Sequence, residues 1–533
     1  MRIQLRHVVH LALWGYLLSP LMLQPFLLKN GRDWFEILFL FNVFTSALWV
    51  SLFSSLRIRP LVLHLLAFPL YLLTAADLFM LFNYGNRLSS AYFGILLTDY
   101  SEAGEFAATF LQPILNSLMV MAAVYLSGLF ALRRLPLPPR NRVAGISALV
   151  LLLTYSAQFA STYRNEDSFR FAALDVLGKE LGSPMGGIFQ GGLALILKHE
   201  SRMFVEKRKS HSFAHVSASG VSPDSIFVWV IGESSRPHNW GLMGYARDTT
   251  PRLQAIAGVV PLPDLLANAP HTEASVLSML SLNSIKDWNT LLSERTIISV
   301  FNQAGFKTYW LSVQEADGWG GMIQHVAAEA KQRKYFDRAR DSVLVDEFRT
   351  IIENKSPAEP LFVVLHTKGS HWHYSRRYPP SFEKFKEGKN TREQLVDAYD
   401  NSILYTDWVI SEIIRTVAQK KIDAAVLYVS DHGQNLLDDA AQLRGHAFGN
   451  TYDLHTAGLI WLSPALQKKR RAEVANLEKH RRLPISMADL PHSYLDIAGI
   501  RVDGFNATRS LFSAKYTVKE RWYRFQGGPN KER

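Results

Sequence analysis

The stretch SIFVWVIGESSR, residues 225–236, decides the fold, because six consecutive apolar residues in it lead directly to the carboxylate of Glu233. Two later stretches have the same form, PLFVVLHTKGSH at 360–371 and AAVLYVSDHG at 424–433, with a helical pattern at 392–420 between them. Strands that are apolar at consecutive positions are buried on both faces, as in a parallel sheet covered by helices. The sequence therefore predicts an α/β domain with a mainly parallel sheet.

The polar side chains that follow these strands are expected to meet at one edge of the sheet, because open α/β sheets bind ligands beyond the carboxyl ends of their strands. The set expected to converge is Glu233, Asp431 and His432, with His366, His371 and His446 as further members. A single acidic residue at a strand end usually caps the next helix. Two carboxylates together with imidazoles suit zinc instead, so the residues alone leave both interpretations open.

The first third of the chain contains five long apolar runs, at 7–28, 34–56, 61–84, 106–132 and 143–160. Most of them reach the roughly 20 residues that span a hydrocarbon core, and they predict five transmembrane helices. Arginines are concentrated before the first run, between the second and third, and between the fourth and fifth. By the positive-inside rule the amino terminus is cytoplasmic, and the polar remainder is expected on the outer side of the membrane, in the periplasm or the extracellular space.

Composition narrows the class of protein further. The chain contains no cysteine, so the exported part has no disulfides and must depend on its own core and any bound metal. The formal charge is +11, which an acidic membrane surface is sufficient to explain. We expect no nucleic-acid partner, and we interpret the basic run at 468–482 as a solvated helical face.

These patterns divide the chain into four parts. We predict a transmembrane domain at 1–162, an interfacial linker at 163–222, an exported α/β domain at 223–515 and a basic tail at 516–533. The linker has apolar residues at near-helical spacing. An amphipathic helix on the bilayer and an ordinary helix packed on the soluble domain both fit this spacing.

Four separated motifs resemble a known family. They are GESSRPHNWGLMGYARDTTP at 232–251, APHTEASVLSMLS at 269–281, HTKGSHWHYSRRYP at 366–379 and SDHGQN at 430–435. In that order behind five apolar runs, they resemble the phosphoethanolamine transferases of Gram-negative inner membranes, which belong to the alkaline phosphatase and sulfatase superfamily. The resemblance covers nearly the whole chain. It implies an alkaline phosphatase-like α/β fold, and it implies that the domain at 223–515 is periplasmic and catalytic.

The resemblance also implies roles for particular residues. Glu233, Asp431 and His432 match zinc ligands of the family, and Thr272 matches its nucleophile, which also binds the metal. One zinc ion is expected, and a second is left open. The residues that match family histidines are His366, His371 and His446. In LLTDYSEAGEF at 96–106, which resembles a periplasmic loop of the family, Thr98 and Glu102 are candidates to hold the donor lipid.

The activity that the resemblance implies is transfer of phosphoethanolamine from phosphatidylethanolamine to an envelope glycan or lipopolysaccharide acceptor. A covalent intermediate on Thr272 and ping-pong kinetics are expected, in a membrane-embedded monomer. The three histidines would move protons or hold the phosphoryl group. Many family members carry several disulfides and this chain has no cysteine, so lipid A itself is a less favoured acceptor than other sugars of the envelope.

Several alternatives stay open. Thr272 could cap the helix that begins near Glu273, Ser234 and Ser275 are rival hydroxyls, and His455 is a rival to His446. A glycerol-phosphate transferase would use residues of the same types, and an inactive membrane-anchored sensor is a third reading. A sulfatase needs a modified cysteine or serine followed closely by arginine, which TEASVLS lacks. We expect His373 and Tyr374 at the rim of the site.

Overall fold

A computed structural model describes residues 60–84, 111–132, 206–220, 222–314, 322–336, 338–438, 442–525 and 528–532, together with single positions between 15 and 23 and between 146 and 157. The chain forms two compact units, Met1–His199 and Glu200–Arg533. Thr98, Glu102 and the predicted span at 34–56 lie outside the described residues.

The first unit contains three described helices, α1 (Pro60–Leu66), α2 (Phe68–Tyr84) and α3 (Leu111–Leu132). Within the described residues, one helical segment, Leu111–Phe130, is long and apolar enough to cross a membrane, and Phe68–Phe82 is a shorter apolar helix. His64 packs where Gly128 leaves room, since a Cβ at 128 would lie 2.4 Å from the imidazole. Because the described residues contain one helical segment of sufficient length, the five transmembrane helices remain a prediction.

The second unit is organised around a mixed sheet of seven strands. In spatial order the strands are β3 (Val259–Leu262), β11 (Gly458–Leu462), β8 (Ala424–Ser430), β2 (Ile226–Gly232), β7 (Leu361–His366), β5 (Lys307–Ser312) and β6 (Gln332–Tyr335). The five strands from β8 to β6 are mutually parallel, and β11 is antiparallel to both of its neighbours. The prediction of an α/β domain is confirmed, and its parallel strands carry the three stretches that suggested it.

Eight shorter strands lie outside this sheet and pair in twos. They are β1 (Ser217–Ala218) with β13 (Ile500–Arg501), β4 (Leu265–Leu266) with β12 (Ile485–Ser486), β9 (Asn435–Leu436) with β10 (Arg444–Gly445), and β14 (Trp522–Phe525) with β15 (Gly528–Lys531). The predicted linker therefore contributes one strand to the second unit. The predicted basic tail contains the β14–β15 hairpin.

Helices cover both faces of the sheet. In chain order they are α4 (Pro251–Gln254), α5 (Thr272–Met279), α6 (Trp288–Ser293), α7 (Ile297–Gln303), α8 (Met322–Ala327), α9 (Ser342–Glu353), α10 (Thr391–Ala418), α11 (Thr451–Leu454), α12 (Pro464–Lys469), α13 (Arg471–His480) and α14 (Leu490–Ile497). Short 3-10 turns lie at Pro237–Asn239, Gly241–Met243, Tyr374–Arg376, Pro380–Phe382 and Met487–Asp489.

The central strand β2 is buried on both faces, as its uninterrupted apolar sequence predicts. Phe227, Trp229 and Ile231 pack into the hydrophobic cluster on one face, whereas Val228 and Val230 pack into the cluster on the other. Complete burial of each large apolar side chain contributes about 1.5–3 kcal/mol. The strand is therefore rigidly fixed, and so is the residue at its carboxyl end.

Candidate active site and metal centre

The carboxyl ends of β2, β7 and β8 lie side by side and bring the predicted polar residues together. Gly232 of β2 is in register with Ser430 of β8, and Ile231 is in register with His366 of β7. Glu233 and Asp431 are therefore the next residues on adjacent strands. The sheet edge predicted from the sequence is the edge at which these side chains meet.

Glu233, Asp431 and His432 form a compact trio of buried side chains. Each can offer one ligand atom, and these atoms all lie within 4.8 Å of one another. His432 Nε2 lies 3.3 Å from Glu233 Oε1 and 3.4 Å from Asp431 Oδ2. Two carboxylates and one imidazole at this separation are a donor set that zinc accepts.

Two hydrogen-bonding details fit a cation at this trio. His432 Nδ1 lies 2.8 Å from the carbonyl oxygen of Gly433, so this nitrogen carries a proton that it donates, and Nε2 faces the carboxylates. Metal-binding histidines are oriented in this way by a partner for the second nitrogen. Asp431 Oδ1 accepts from the amides of Ser234 and His432, whereas buried Oδ2 has no hydrogen-bond donor in good geometry among the described residues.

The trio gathers more negative charge than its imidazole alone offsets. Burial raises the pKa of Glu233, but the hydrogen bond and positive charge of His432 outweigh it and hold this pKa well below its usual value. Burial and the charge of Glu233 raise the pKa of Asp431 to about 7. Burial lowers the pKa of His432, but both carboxylates outweigh it and raise the value to about 9. A cation would stabilise both carboxylates in their charged form.

Thr272 lies against this trio at the start of α5. Its hydroxyl oxygen is 3.3 Å from Glu233 Oε2, to which it donates, and 3.4 Å from His432 Nε2. Thr272 is the first residue of the helix, whereas the N-cap position is occupied by His271. The capping alternative does not describe Thr272. The unpaired amides at a helix amino terminus favour negative charge, including that of a nearby oxyanion.

The three further histidines lie at different depths around the trio. The ring of His446 lies 4.1 Å from that of His432 and 6.4 Å from that of His371, measured between centroids. His366, the last residue of β7, is buried against Trp310 at 5.6 Å, and neither of its ring nitrogens has a hydrogen-bond partner among the described residues. Burial lowers the pKa of His366 to about 4, and burial followed by the charge of His432 lowers the pKa of His446 well below its usual value.

The loop that carries His371 is held directly against Glu233. The amide of Ser370 donates to the carbonyl oxygen of Glu233 at 2.9 Å. Gly369 has φ of +47°, and a Cβ there would lie 2.8 Å from the same oxygen, so this position requires glycine. Both carboxylate oxygens of Asp341 accept from the amides of Lys368 and Gly369 at 2.7 and 3.0 Å. The loop therefore holds His371 at a fixed distance from the trio.

Two glutamines at the site, Gln314 and Gln434, are not among the residues predicted from the sequence. Gln314 donates to Glu233 Oε2 at 3.3 Å. Gln434 lies 3.2 Å from His446 Nδ1 through its side-chain oxygen, while its amide nitrogen donates to the hydroxyl of Tyr374 at 2.7 Å. Gln314 stands two residues after β5 and Gln434 two residues after His432, so strand ends were the signal that could have identified them. Tyr374 is 2% exposed, so its expected place at the rim is wrong.

The structure separates the site residues from two of their rivals. Ser275 donates to the carbonyl oxygen of Ala269 at 2.9 Å and accepts from its amide at 3.2 Å, which makes it a brace for the loop before α5. His455 contacts Glu532 at 3.0 Å. Ser234, with φ of +56°, donates to Glu233 Oε1 at 2.7 Å, so it contacts the trio through the other carboxylate oxygen.

Comparison with known proteins places this site in a family. The Sulfatase family model matches residues 225–500. The phosphoethanolamine transferase EptC of Escherichia coli O18:K1:H7 is 27% identical over 337 residues, which cover 59% of this chain and 57% of that protein. The Kdo(2)-lipid A phosphoethanolamine 7''-transferase of Escherichia coli K12 is 30% identical over 261 residues, 45% of each chain. The chain thus spans little more than half the length of the first of these curated relatives.

A solved structure extends the likeness in fold. The integral membrane lipooligosaccharide phosphoethanolamine transferase A (EptA) of Neisseria meningitidis matches with a TM-score of 0.71 at 20% sequence identity. The match covers 95% of this chain and 98% of that protein. The fold is therefore shared with a membrane-integral protein, which agrees with the apolar first third of this chain.

Proposed function

Because the chain belongs to the sulfatase family and has phosphoethanolamine transferases among its relatives, we propose that it transfers phosphoethanolamine through a covalent intermediate on Thr272. The donor is phosphatidylethanolamine. The acceptor is an envelope glycan or a lipopolysaccharide sugar. The observation that carries the proposal is the position of the Thr272 hydroxyl, 3.3 Å from Glu233 Oε2 and 3.4 Å from His432 Nε2 at the start of a helix.

We assign one zinc ion to Glu233, Asp431 and His432, with the Thr272 oxygen as a further ligand. The compact donor set and the undonated Asp431 Oδ2 support this assignment. When bound, zinc favours the alkoxide of Thr272 and offsets charge on the phosphoryl oxygens. A threonine hydroxyl by itself is a weak nucleophile at neutral pH.

The reaction proceeds in two balanced displacements. In the first, the Thr272 oxygen forms a bond to phosphorus, the bond from phosphorus to the diacylglycerol oxygen breaks, and the proton of the threonine ends on the diacylglycerol hydroxyl. In the second, an acceptor oxygen forms a bond to phosphorus, the bond to Thr272 breaks, and the proton of the acceptor returns to the threonine. We assign the movement of these protons and the binding of phosphoryl oxygens to His366, His371 and His446.

Burial gives two of these histidines, His366 and His446, protonation states that suit this role. Burial lowers the pKa of His366 to about 4, so its imidazole is neutral near pH 7. A neutral imidazole accepts a proton at one nitrogen and donates from the other. The low pKa of His446, caused by burial and the charge of His432, has the same consequence.

The apolar first third of the chain supports a membrane location for the proposed enzyme. We place residues 1–162 in the inner membrane as five spans with a cytoplasmic amino terminus, and the α/β domain in the periplasm. Thr98 and Glu102 are assigned to the donor lipid. The name of the relative that acts on Kdo(2)-lipid A supports a lipopolysaccharide acceptor, and we propose that the protein works as a monomer.

The test is peptide mass spectrometry on the full-length protein, purified from a host rich in phosphatidylethanolamine. We expect one phosphoethanolamine group on the peptide that contains Thr272 in the wild type, none in Thr272→Ala, and retention in Thr272→Ser, which keeps a hydroxyl. A matched control is Ser284→Ala, which removes a partly exposed hydroxyl from the loop between α5 and α6.

The wild type must also be loaded with zinc and supplied with lipid in the absence of acceptor. An unmodified Thr272 under these conditions would contradict the proposal. A glycerol-phosphate group on Thr272 would support Thr272 as the nucleophile but would show that the donor is a glycerol-phosphate lipid and not phosphatidylethanolamine. An unmodified protein that binds no zinc would point to a non-catalytic role.

A further inference from the structure

The carboxyl ends of β2, β7 and β8 with Glu233, Asp431 and His432 form the proposed catalytic site, which we call the catalytic edge. Gln314 lies at this edge, and the mechanism above assigns it no role. It follows β5, which is adjacent to β7 in the sheet, and its side chain reaches across the end of β7 towards β2. Its amide nitrogen lies 2.9 Å from the carbonyl oxygen of Thr367 and 3.3 Å from Glu233 Oε2. One amide group therefore links three neighbouring strand ends.

The orientation of this amide is determined by its partners. A carbonyl oxygen and a carboxylate oxygen both accept hydrogen bonds, so the nitrogen of Gln314 must face them and donates one hydrogen to each. The backbone of Gln314 is also fixed by Ser312. The backbone N–H of Gln314 donates to Ser312 Oγ at 3.0 Å, and the backbone carbonyl oxygen of Gln314 accepts from the same hydroxyl at 3.1 Å.

The anchor on the other side is equally fixed. The backbone amide and the hydroxyl of Thr367 both donate to the carbonyl oxygen of Ile231, each at 3.0 Å. Thr367 is thus tied to β2 two residues before Glu233. Gln314 therefore connects Thr367, which is bound to β2, with the carboxylate of Glu233, which follows β2.

The two oxygens of Glu233 receive different donors. Oε1 accepts from the hydroxyl of Ser234 at 2.7 Å, whereas Oε2 accepts from Thr272 and Gln314, each at 3.3 Å. The proposed reaction consumes the hydrogen on the Thr272 oxygen. Gln314 is therefore the described side chain that can continue to donate to Oε2 when Thr272 is an alkoxide or carries a phosphoryl group.

We propose that Gln314 is a positioning residue that holds the carboxylate of Glu233 in the plane required for zinc binding throughout the reaction. The inference rests on the proposed function, because it assumes that Glu233 binds zinc. Residues that hydrogen-bond a metal ligand orient it, and their loss typically costs about 10–100-fold in metal affinity or activity. Gln314 acts on the metal through Glu233 and on the substrate only through the metal.

The test compares the full-length wild type with Gln314→Met, which keeps the length of the side chain but has no amide hydrogens. Gln314→Glu is less suitable because the new carboxylate could itself bind the metal. Zinc affinity is measured by competition with a chromophoric chelator. We expect Gln314→Met to bind zinc about 10–100-fold more weakly than the wild type. Gln332→Met, which changes an exposed glutamine on edge strand β6, should bind as the wild type does.

A second measurement separates positioning from structural damage. The amount of phosphoethanolamine on Thr272 is measured in Gln314→Met at limiting and at saturating free zinc, and the thermal midpoint of the metal-free protein is compared with that of the wild type. We expect an equal midpoint, a reduced adduct at limiting zinc and recovery at saturating zinc. Damage to the fold would lower the midpoint and would not be reversed by zinc.

Two results would overturn the inference. One is an unchanged zinc affinity in Gln314→Met. The other is a loss of adduct that saturating zinc does not restore, which would place Gln314 in contact with the phosphoryl group or in the support of the loop. The proposed function fails separately, because its failure is seen in the wild type as an absence of bound zinc or of any adduct on Thr272.

Discussion

Two parts of the second unit contain the same kinds of residues in opposite situations. At the catalytic edge, two carboxylates, Glu233 and Asp431, share the imidazole of His432. At a second place, which we call the C-terminal corner and define as Asp264, His455, Arg521 and Glu532, two carboxylates also contact one imidazole. The corner has one additional member, the guanidinium of Arg521, which pairs with both Asp264 and Glu532.

The two places differ in whether a permanently charged side chain is present: the corner has the guanidinium of Arg521. The corner is partly exposed, and each of its two carboxylates pairs with the guanidinium of Arg521, so a cation of the chain itself already contacts both. The catalytic edge is buried, and among the described residues no lysine or arginine pairs with Glu233 or Asp431. Buried charge without a partner is costly, so the edge is suited to a cation that is not part of the chain.

The largest effect is expected from breaking the edge itself. Asp431→Asn removes one negative charge and one metal ligand from the trio. We expect zinc affinity to fall by more than the roughly 100-fold that loss of a residue merely orienting a ligand can cost, with no adduct on Thr272. Chelator competition and peptide mass spectrometry measure the two quantities. Asp264→Asn at the corner is the matched control, and equal losses in both variants would contradict the contrast.

A buried cation near the edge sharpens the comparison. Arg236 is 4% exposed and pairs with Asp438 through two hydrogen bonds, at 2.6 and 3.0 Å. Replacing it with methionine leaves the largely buried Asp438 with only the longer 3.9 Å contact to Arg392, and removing one partner of such a pair costs about 3–5 kcal/mol of unfolding free energy. Urea unfolding in detergent, followed by tryptophan fluorescence, measures the change. Arg521→Met at the more exposed corner should cost clearly less, and an equal cost would show that burial does not separate the two regions.

A third case is a buried imidazole that none of the described carboxylates contacts. His492 is 2% exposed, and its Nδ1 accepts from the amide of Asn506 at 3.2 Å. Burial, and then the charge of Arg509, lower its pKa from 6.5 to about 3. The unfolded chain therefore binds this proton more readily, so the stability that neutral His492 contributes is present above pH 6.5 and is lost as pH falls towards 3.

The expected loss from this residue is about 2 kcal/mol at pH 5 relative to pH 7, from 1.36 kcal/mol for each pH unit below the unfolded pKa. His492→Gln cannot take up the proton and should show a shallower fall in unfolding free energy between pH 7 and pH 5. Urea unfolding at the two pH values measures the difference between variant and wild type. Parallel pH profiles for the two proteins would show that another group controls the acid sensitivity.

The smallest effect is expected at the corner. His455 is about one-fifth exposed, and partly exposed ion pairs contribute about 0–1 kcal/mol. His455→Gln should therefore change the unfolding free energy by less than about 1 kcal/mol and leave zinc affinity and the adduct as in the wild type.

His446→Gln should reduce transfer to the acceptor, measured by release of phosphoethanolamine from Thr272. A loss of transfer in His455→Gln would reverse the choice between the two histidines.

The parts of the fold that the sequence predicted are those in which local pattern and burial agree. The runs in β2, β7 and β8 are apolar at consecutive positions because both faces of these strands are covered. Polar residues directly after such runs must lie at the sheet edge. This reasoning placed Glu233, Asp431 and His432 together without knowledge of the distances between them.

The remainder depends on tertiary contacts that leave no local signal. Strand β11, GLIWL, is apolar at consecutive positions like the adjacent strand β8, but it runs antiparallel to β8. Gln314 and Gln434 are ordinary polar residues in sequence, and only the positions of their acceptors give them a role. Tyr374 is buried in the hydrophobic cluster on one face of the sheet, and its hydroxyl accepts a hydrogen bond from Gln434. The β14–β15 hairpin contains charged residues that, in sequence, are typical of a solvated tail.

The order of strands in the sheet also has a consequence for how the protein is made. In the chain, 197 residues separate Ser234 from Asp431, whose carboxylate accepts from the Ser234 amide. Strand β2 emerges from the ribosome long before β7 and β8, so it cannot pair with either of them until most of the second unit has been synthesised. Such long-range pairing makes folding slow. A metal ion at the proposed site would therefore meet all three of its ligands only after the sheet has closed, so the folded protein rather than the nascent chain would select the metal.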